Sequence, residues 1–358
     1  MKNANDTLLI LSPGFPKDEM DSTCLPAQQA LVRSLNKNFP NLRIIILALE
    51  YPFTELSYHW NRNLVIPFNG WKKGRIHKLR IWVKVWKRLI RLKNENHIIG
   101  ILSLWVSESA MIGKYFAKCN HIKQYSWILG QDAKPGNRFM RWMKPRSDEL
   151  IAMSHFLAKE FNQNYSVLPK YIIPNGIDTS AFDGSQYERD IDVLGVGSLI
   201  PLKQYDVFIE IIHELKRRLL PVHAIICGKG KEKESLQSMI QNLKLEDNIS
   251  LLGEKPHPEI LQLMQRAKVF LHTSSYEGFS TVCLEALYSG AHVISFCNPM
   301  MEWVRHWHIV SGKEEMLELL EEILEDKNLD HRPILPYNID DNSISLMKLF
   351  DQRDAAIS

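Results

Sequence analysis

SSYEGFSTVCLEALYSG, residues 274–290, places Glu277 and Glu285 eight positions apart around a small-residue turn that opens a helix. Residues 276–280 read as a loop and 281–288 as a helix with apolar positions at Val282, Leu284, Ala286 and Leu287. Gly278 lets the backbone approach a ligand closely, and N–H groups at a helix start attract anions such as phosphate. A carboxylate on either side of that turn suits hydroxyl groups, ribose for one and sugar for the other. Spacing alone fits a capped, buried helix equally well, so the meaning of the pair depends on its surroundings.

On both sides of this stretch strand-like runs alternate with helical ones, the pattern of parallel α/β domains. In the first half, strands are expected at 7–12, 43–49, 98–104, 124–129 and 149–152, and helices at 25–38, 72–93, 109–118 and 154–163. YIIPNGID, 171–178, ends a strand in a turn. A second series begins at DVLGVG, 192–197, with strands at 223–227, 249–252, 269–272 and 292–295 and helices at 231–243, 259–266, 281–288, 313–326 and 343–353. At 358 residues the chain suits two domains of ordinary size. The boundaries read as an N-terminal Rossmann-like domain over 1–177, a polar linker over 178–190 and a C-terminal Rossmann-like domain over 191–336. A helical segment over 337–358 is expected to pack back on the first domain.

Composition excludes several classes. The only apolar run near the N-terminus is 8–11, too short for a signal peptide, and no run reaches the ~18 apolar residues of a membrane span. A cytoplasmic protein is expected. Five scattered cysteines with no CxxC pair argue against a disulfide framework or zinc site. The net charge of +3 conceals a division: residues 1–170 carry 26 Lys and Arg against 12 acids, and the remainder 18 against 29. Ten of the basic residues lie in KKGRIHKLRIWVKVWKRLIRLK, 72–93. Ile76, Leu79, Trp82, Val83, Trp86, Leu89 and Ile90 recur there at helical spacing. Either this helix packs its apolar stripe on the sheet with a solvated basic face, or it also lies on anionic lipid with Trp82 and Trp86 as interfacial anchors. No nucleic-acid motif accompanies the charge, and no nucleic-acid partner is expected.

The glycine clusters belong at strand ends. Gly197, Ser198 and Lys203 follow one strand, Gly228 another and Gly253 a third, the face where ligands of open α/β sheets bind. Lys203 suits a diphosphate as a point charge. Neither GVGSLI nor GKGKEK is a dinucleotide fingerprint, since Ile200 and Lys233 stand where glycine is required. Hydride transfer is thereby disfavoured. Asp190-Ile191-Asp192 formally matches a metal-binding Asp-x-Asp but falls in the linker, and His306 and His308 lack further ligands, so no metal site is expected.

Taken in order, IIPNGIDTSAF, GVGSLIPLK, CGKGKEKESLQ, NISLLGE and SSYEGFSTVCLEAL resemble retaining family 4 glycosyltransferases of the GT-B fold, strongly over 171–295 and by layout elsewhere. The resemblance implies two Rossmann-like doubly wound domains facing a cleft, a nucleotide-sugar donor on the C-terminal domain, an acceptor on the N-terminal one, and no essential metal or cofactor. By position it assigns Glu277 to the transferred sugar, Glu285 to the ribose and Lys203 to the diphosphate. Backbone N–H groups around Gly278, Phe279, Ser280 and Thr281 would cradle sugar and phosphate oxygens. In retaining chemistry the departing phosphate oxygen takes the acceptor's proton on the same face, so no dedicated base is needed.

Three departures stand out: Ser198 where the family carries arginine, a first loop with only Gly14, and no histidine at the end of the strand near 129. Asp132 is the substitute candidate there as a catalytic residue, with Trp105, Glu108 and Gly14 as further acceptor-side candidates. The expected activity is transfer of a sugar from a nucleotide diphosphate to a glycan or lipid-linked acceptor in cell-envelope or surface polysaccharide synthesis, by an enzyme peripheral to the inner face of the membrane through 72–93. The alternatives are a glycosyltransferase-like binding or scaffold subunit that does not catalyse, and a GT-B sugar-nucleotide epimerase.

Overall fold

The computed structural model describes residues 6–71, 74–185, 187–218 and 221–351. The chain forms two compact units: one runs to Gly176 and resumes at Ile339, and the other is Ile177–Asn338.

The first unit comprises β1 (Asp6–Gly14), α1 (Pro26–Asn38), β2 (Arg43–Tyr51), β3 (Tyr58–Trp60), β4 (Asn63–Pro67), α2 (Arg75–Glu95), β5 (His97–Leu104), α3 (Glu108–Asn120), β6 (Gln124–Ile128), α4 (Phe139–Met143), β7 (Leu150–Ala152), α5 (His155–Tyr165) and β8 (Tyr171–Ile172). Its sheet runs β3-β4-β2-β1-β5-β6-β7-β8, parallel except for β3. Leu8, Leu9, Ile10 and Leu11 of β1 are fully buried, as expected for a strand covered on both faces. The hairpin of β3 and β4 is absent from the expected elements because its strands of three and five residues are too short for alternation to show.

The second unit comprises β9 (Ile191–Val196), α6 (Tyr205–Arg217), β10 (Ala224–Cys227), α7 (Lys233–Asn242), β11 (Ile249–Gly253), α8 (His257–Arg266), β12 (Ala267–His272), α9 (Thr281–Tyr288), β13 (His292–Ser295), β14 (Trp307–Ile309) and α10 (Lys313–Glu325). The sheet order is β11-β10-β9-β12-β13-β14, all parallel. Helix α6 is a further unexpected element, burying Tyr205, Phe208, Ile209, Ile212 and Leu215 on one face. In each sheet the connections reverse direction once, between β1 and β5 and between β9 and β12. Ligands of open α/β sheets bind outside the strand ends at such switch points.

After the second unit, α11 (Ile339–Phe350) returns to the first. Its Asp340 accepts from Ser34 at 2.6 Å and pairs with Lys37 at 2.5 Å, and Phe350 packs edge-on against Tyr125. A Cβ on Gly100 would lie 2.1 Å from the Phe350 ring, so that glycine makes the docking possible. Residues 352–358 of the expected C-terminal segment lie outside the described residues.

Two expectations need correction. The segment 178–190 is no free linker but lies along the second unit: Arg189 donates to the carbonyls of Ala267 and Ser289, Asp190 pairs with Arg266, and Phe182 sits edge-on to Tyr288. Its charges find partners on one surface, which polarity alone does not reveal. The apolar stripe of α2 is also different. Ile81, Val85, Leu89 and Leu92 form the buried face, whereas Ile76, Leu79, Val83 and Ile90 are exposed at 70, 56, 54 and 45%. The helix is apolar on two opposite faces, so periodicity merges them into one. Lys72 and Lys73 of the expected basic run lie outside the described residues. Among the described residues no helix is long and apolar enough to cross a membrane.

Candidate functional site

In the second unit the site is built at the switch point of β9 and β12. Beyond β9 the chain turns through Gly197 and exposed Ser198 into a single helical turn, Pro201–Lys203. Beyond β12, Thr273 Oγ1 donates to the Lys203 carbonyl at 2.8 Å, and the Ser274 hydroxyl and Ser275 N–H donate to that of Leu202 at 3.1 and 3.0 Å. These bonds stitch the two strand-end loops together and bring Lys203 Nζ onto Glu277 Oε1. His272, the last residue of β12 and almost fully buried, places Nε2 3.0 Å from the same oxygen. Burial opposes the Glu277 charge, but the contacts from His272 and Lys203 prevail and hold the carboxyl down to about 2. Burial pushes His272 below the usual imidazole value despite its carboxylate neighbour.

Gly278, Phe279 and Ser280, all buried, lead into α9, whose N-cap residue Ser280 makes no side-chain cap bond; Thr281 is its first residue. Glu285 lies one turn further on and meets His257 Nε2 at 2.8 Å, from the first residue of α8. Gly290 ends the motif in the left-handed region, with φ of 79° and Arg189 and His331 where a side chain would lie. Lys203, Glu277 and the start of α9 are thus assembled, with Glu285 on the same helix.

The other glycines serve differently. A Cβ on Gly228 would fall 1.8 Å from the Gly197 carbonyl oxygen, so Gly228 is required by the packing of one strand-end turn on another. Gly253, with φ of 74°, has open space beside it. The carboxylates of Asp190 and Asp192 bind Arg266 and Lys268 as structural pairs. His306 and His308 join His292 and His331 in a packed histidine cluster, and among the described residues no group of acids, histidines and cysteines is arranged to hold a metal.

In the first unit, a cavity of about 520 Å³ opens at the ends of β1, β2 and β5. Gly14, Trp105, Glu108 and Asp132 all line it, together with Glu50, Tyr51, Trp71, Lys78, Arg138 and Phe139. Trp105 holds φ of 61°, a conformation uncommon for a non-glycine residue. Next to it stands Asp132, whose Oδ2 accepts from Val106 N–H at 2.9 Å and whose Oδ1 accepts from Gly130 at 2.8 Å and Leu129 at 3.2 Å. Burial raises the Asp132 pKa against those backbone donors. Asp132 therefore acts as a clamp for two loops while also lining the cavity. Glu108 is likewise engaged, by Lys78 at 2.7 Å, Trp82 Nε1 at 3.2 Å and Arg138 at 3.6 Å. Trp82 and Trp86 are both half-buried, the former donating to Glu108 and the latter edge-on to Phe116.

Glu50 was not singled out in the sequence, and neither were His272 and His257. Glu50 pairs only loosely with Lys78, at 3.8 Å, and burial raises its pKa. Signals existed: a lone acid closing the apolar run RIIILALE, a histidine ending AKVFLH, and a histidine at a helix start after Pro256.

This arrangement defines a class: a two-unit α/β protein of GT-B type, with a cluster of lysine, glutamate and histidine beside a helix start at the switch point of its C-terminal unit. Residues 177–335, within the C-terminal unit, match the family of Glycosyl transferases group 1. Among curated relatives, an N-acetylgalactosamine-N,N'-diacetylbacillosaminyl-diphospho-undecaprenol 4-alpha-N-acetylgalactosaminyltransferase of Campylobacter jejuni is 30% identical over 165 residues, covering 44% of each chain. The phosphatidylinositol N-acetylglucosaminyltransferase gpi3 subunit of Schizosaccharomyces pombe is 27% identical over 164 residues, covering 44% of this chain and 36% of the relative. The matched region spans less than half the length of these relatives. Among solved structures, sucrose-phosphate synthase from Thermosynechococcus elongatus superposes with a TM-score of 0.75 at 13% identity, covering 98% of this chain and 100% of its own. HepE of Anabaena, in complex with UDP and glucose, does so at 0.67 and 17%, covering 97% and 96%. These likenesses show the fold.

Proposed function

We propose that this protein is a retaining glycosyltransferase that moves a hexosyl group from a UDP-sugar to a lipid-linked or glycan acceptor without an essential metal. The observation that carries the reading is the Lys203–Glu277–His272 group at the β9/β12 switch point, beside the start of α9. As the bond from the sugar carbon to the leaving phosphate breaks, positive charge grows on the sugar and negative charge on the diphosphate. Glu277, held ionised, faces the first; Lys203 and the helix-start dipole meet the second. The acceptor oxygen bonds to the same sugar carbon, and its proton leaves with the phosphate oxygen. Backbone N–H groups around 278–281 and Glu285 hold the donor.

The cavity of the first unit is assigned to the acceptor, with aromatic walls for a sugar ring and Glu50 for a hydroxyl. UDP is favoured as the nucleotide by the HepE complex, and a lipid-linked acceptor by relatives whose names refer to diphospho-undecaprenol and phosphatidylinositol. Exposed Arg80, Lys84, Lys87 and Arg91 run beside the exposed Ile76, Leu79, Val83 and Ile90 on α2, a combination suited to an anionic bilayer on the cytoplasmic side. The test is to screen UDP-, GDP- and ADP-sugars by thermal shift, where a ligand at 100 times its Kd adds about 2.7 kcal/mol. The stabilising donor is then assayed for transfer to lipid extracts with and without EDTA, reading the anomeric configuration by NMR. Stabilisation by a UDP-sugar and EDTA-resistant transfer with retention are expected; no shift with any donor would sink the assignment.

A further inference from the structure

We infer that His257 is a positioning residue that presents Glu285 to the ribose and so sets the preference for ribonucleotides; this rests on the assignment of Glu285 to the ribose. His257 opens α8 immediately after Pro256, at the end of the loop leaving β11, and α8 packs beside α9. Its Nε2 meets Glu285 Oε1 at 2.8 Å, with the two side chains 22 and 14% exposed. A glutamate on a helix has three side-chain torsions, and neighbouring ribose hydroxyls are best received by a carboxylate held in one plane. An imidazole on one oxygen fixes that plane and leaves the second oxygen, and the remaining lone pairs of the first, to accept from the sugar. Lys203 and His272 fix Glu277 in the same manner, so each carboxylate of the motif is oriented by a side chain from another element. The contact also restricts Glu285 before the nucleotide arrives, which lowers the ordering cost of binding.

A strut that merely joins α8 to α9 would affect all nucleotides alike, whereas a positioning residue affects those with ribose hydroxyls. The intact chain is titrated by calorimetry with UDP, GDP and ADP, and the tightest binder is compared with its 2′-deoxy and 2′,3′-dideoxy forms. In His257→Ala, the ribonucleotide should weaken by about 10-fold while the dideoxy form stays within about twofold, because only the former uses the oriented carboxylate. His257→Gln, which keeps a donor within reach, should recover part of the loss. Glu285→Ala should abolish the ribose preference. If Glu285→Ala abolishes it but His257→Ala and His257→Gln weaken both forms equally, the inference fails and the ribose assignment stands. If Glu285→Ala keeps the preference, or no nucleotide binds, the underlying assignment fails as well. Unfolding temperatures of each variant identify any loss caused by misfolding, and the glutamine variant supplies the comparison if the alanine variant does not fold.

Discussion

The two sheets reverse at comparable places, between β1 and β5 and between β9 and β12, but their switch points are furnished differently. In the second unit the elements beyond the strand ends bring polar, titratable side chains into direct contact, Lys203 and His272 on Glu277 and His257 on Glu285. In the first, they shape a cavity with Trp71, Trp105 and Phe139 on its walls, and most of its charges are already consumed by protein partners. One doubly wound scaffold thus supports a charged cluster and an aromatic pocket. The difference lies in the loops after the strands, which backbone topology leaves open.

The largest expected effect tests the charged side of this contrast. Glu277→Gln or Lys203→Ala should lower the transfer rate by about 10²- to 10³-fold, the range for losing a preorganised charge at a reacting centre. Initial rates at saturating donor measure it, and an undiminished rate would break the comparison. Next, replacing Arg80, Lys84, Lys87 and Arg91 with glutamine, or Ile76, Leu79, Val83 and Ile90 with serine, should reduce co-sedimentation with anionic vesicles by at least about tenfold, since each basic residue near the surface contributes about 1 kcal/mol. Unfolding temperature should hardly change, because these side chains are exposed. Undiminished sedimentation of both variants would remove lipid from the picture.

A smaller effect is expected at the aromatic switch point. Trp105→Ala or Glu50→Gln should raise the acceptor KM by about tenfold, equal to about 1.4 kcal/mol, while UDP affinity by calorimetry stays the same. A matching loss of UDP affinity would show that the two sites are not specialised. The smallest effect concerns acid. Burial holds His272, His292, His308 and His331 below the ordinary imidazole value, and His306 at about 4. Below the ordinary value of 6.5 the unfolded chain binds protons that the fold refuses, so stability rises with pH in this window and falls as pH drops through it. Glu277, depressed to about 2, keeps its contribution until far lower pH. The described histidines of the first unit, His59, His77, His97, His121 and His155, are all exposed. Hydrogen exchange between about pH 7.5 and 5.5 should therefore show the second unit loosening first, with Tm falling about 2–4 °C per kcal/mol of proton-linked destabilisation. Equal loosening of both units would exclude the buried histidines as the cause.

Much of the proposed donor site was legible because its residues crowd into one continuous motif. Glu277, Gly278 and Glu285 lie within nine positions, and the loop and helix that separate them follow from local rules. Lys203 stood out because a glycine turn and a proline mark the end of its strand. His272 and His257 were not legible: each is an ordinary histidine until the sheet order sets β12 beside β9 and α8 beside α9. In the first unit Asp132, Trp105 and Glu108 came into view as strand-end residues, but their work did not. Whether an aspartate meets a substrate or three backbone N–H groups depends on loops that only the fold closes around it.

The sequence by itself determined the alternation of strands and helices, the division into two α/β halves and the EGFSTVCLE motif, because hydrophobic period, glycine turns and helix starts are local. The tertiary structure alone decided the pairings: Lys203 with Glu277, His257 with Glu285, Asp132 with the Trp105 loop, and which face of α2 is buried. Those hydrogen-bonded pairs join residues from 26 to 74 positions apart, and helical periodicity cannot distinguish a face that meets a sheet from one that meets solvent.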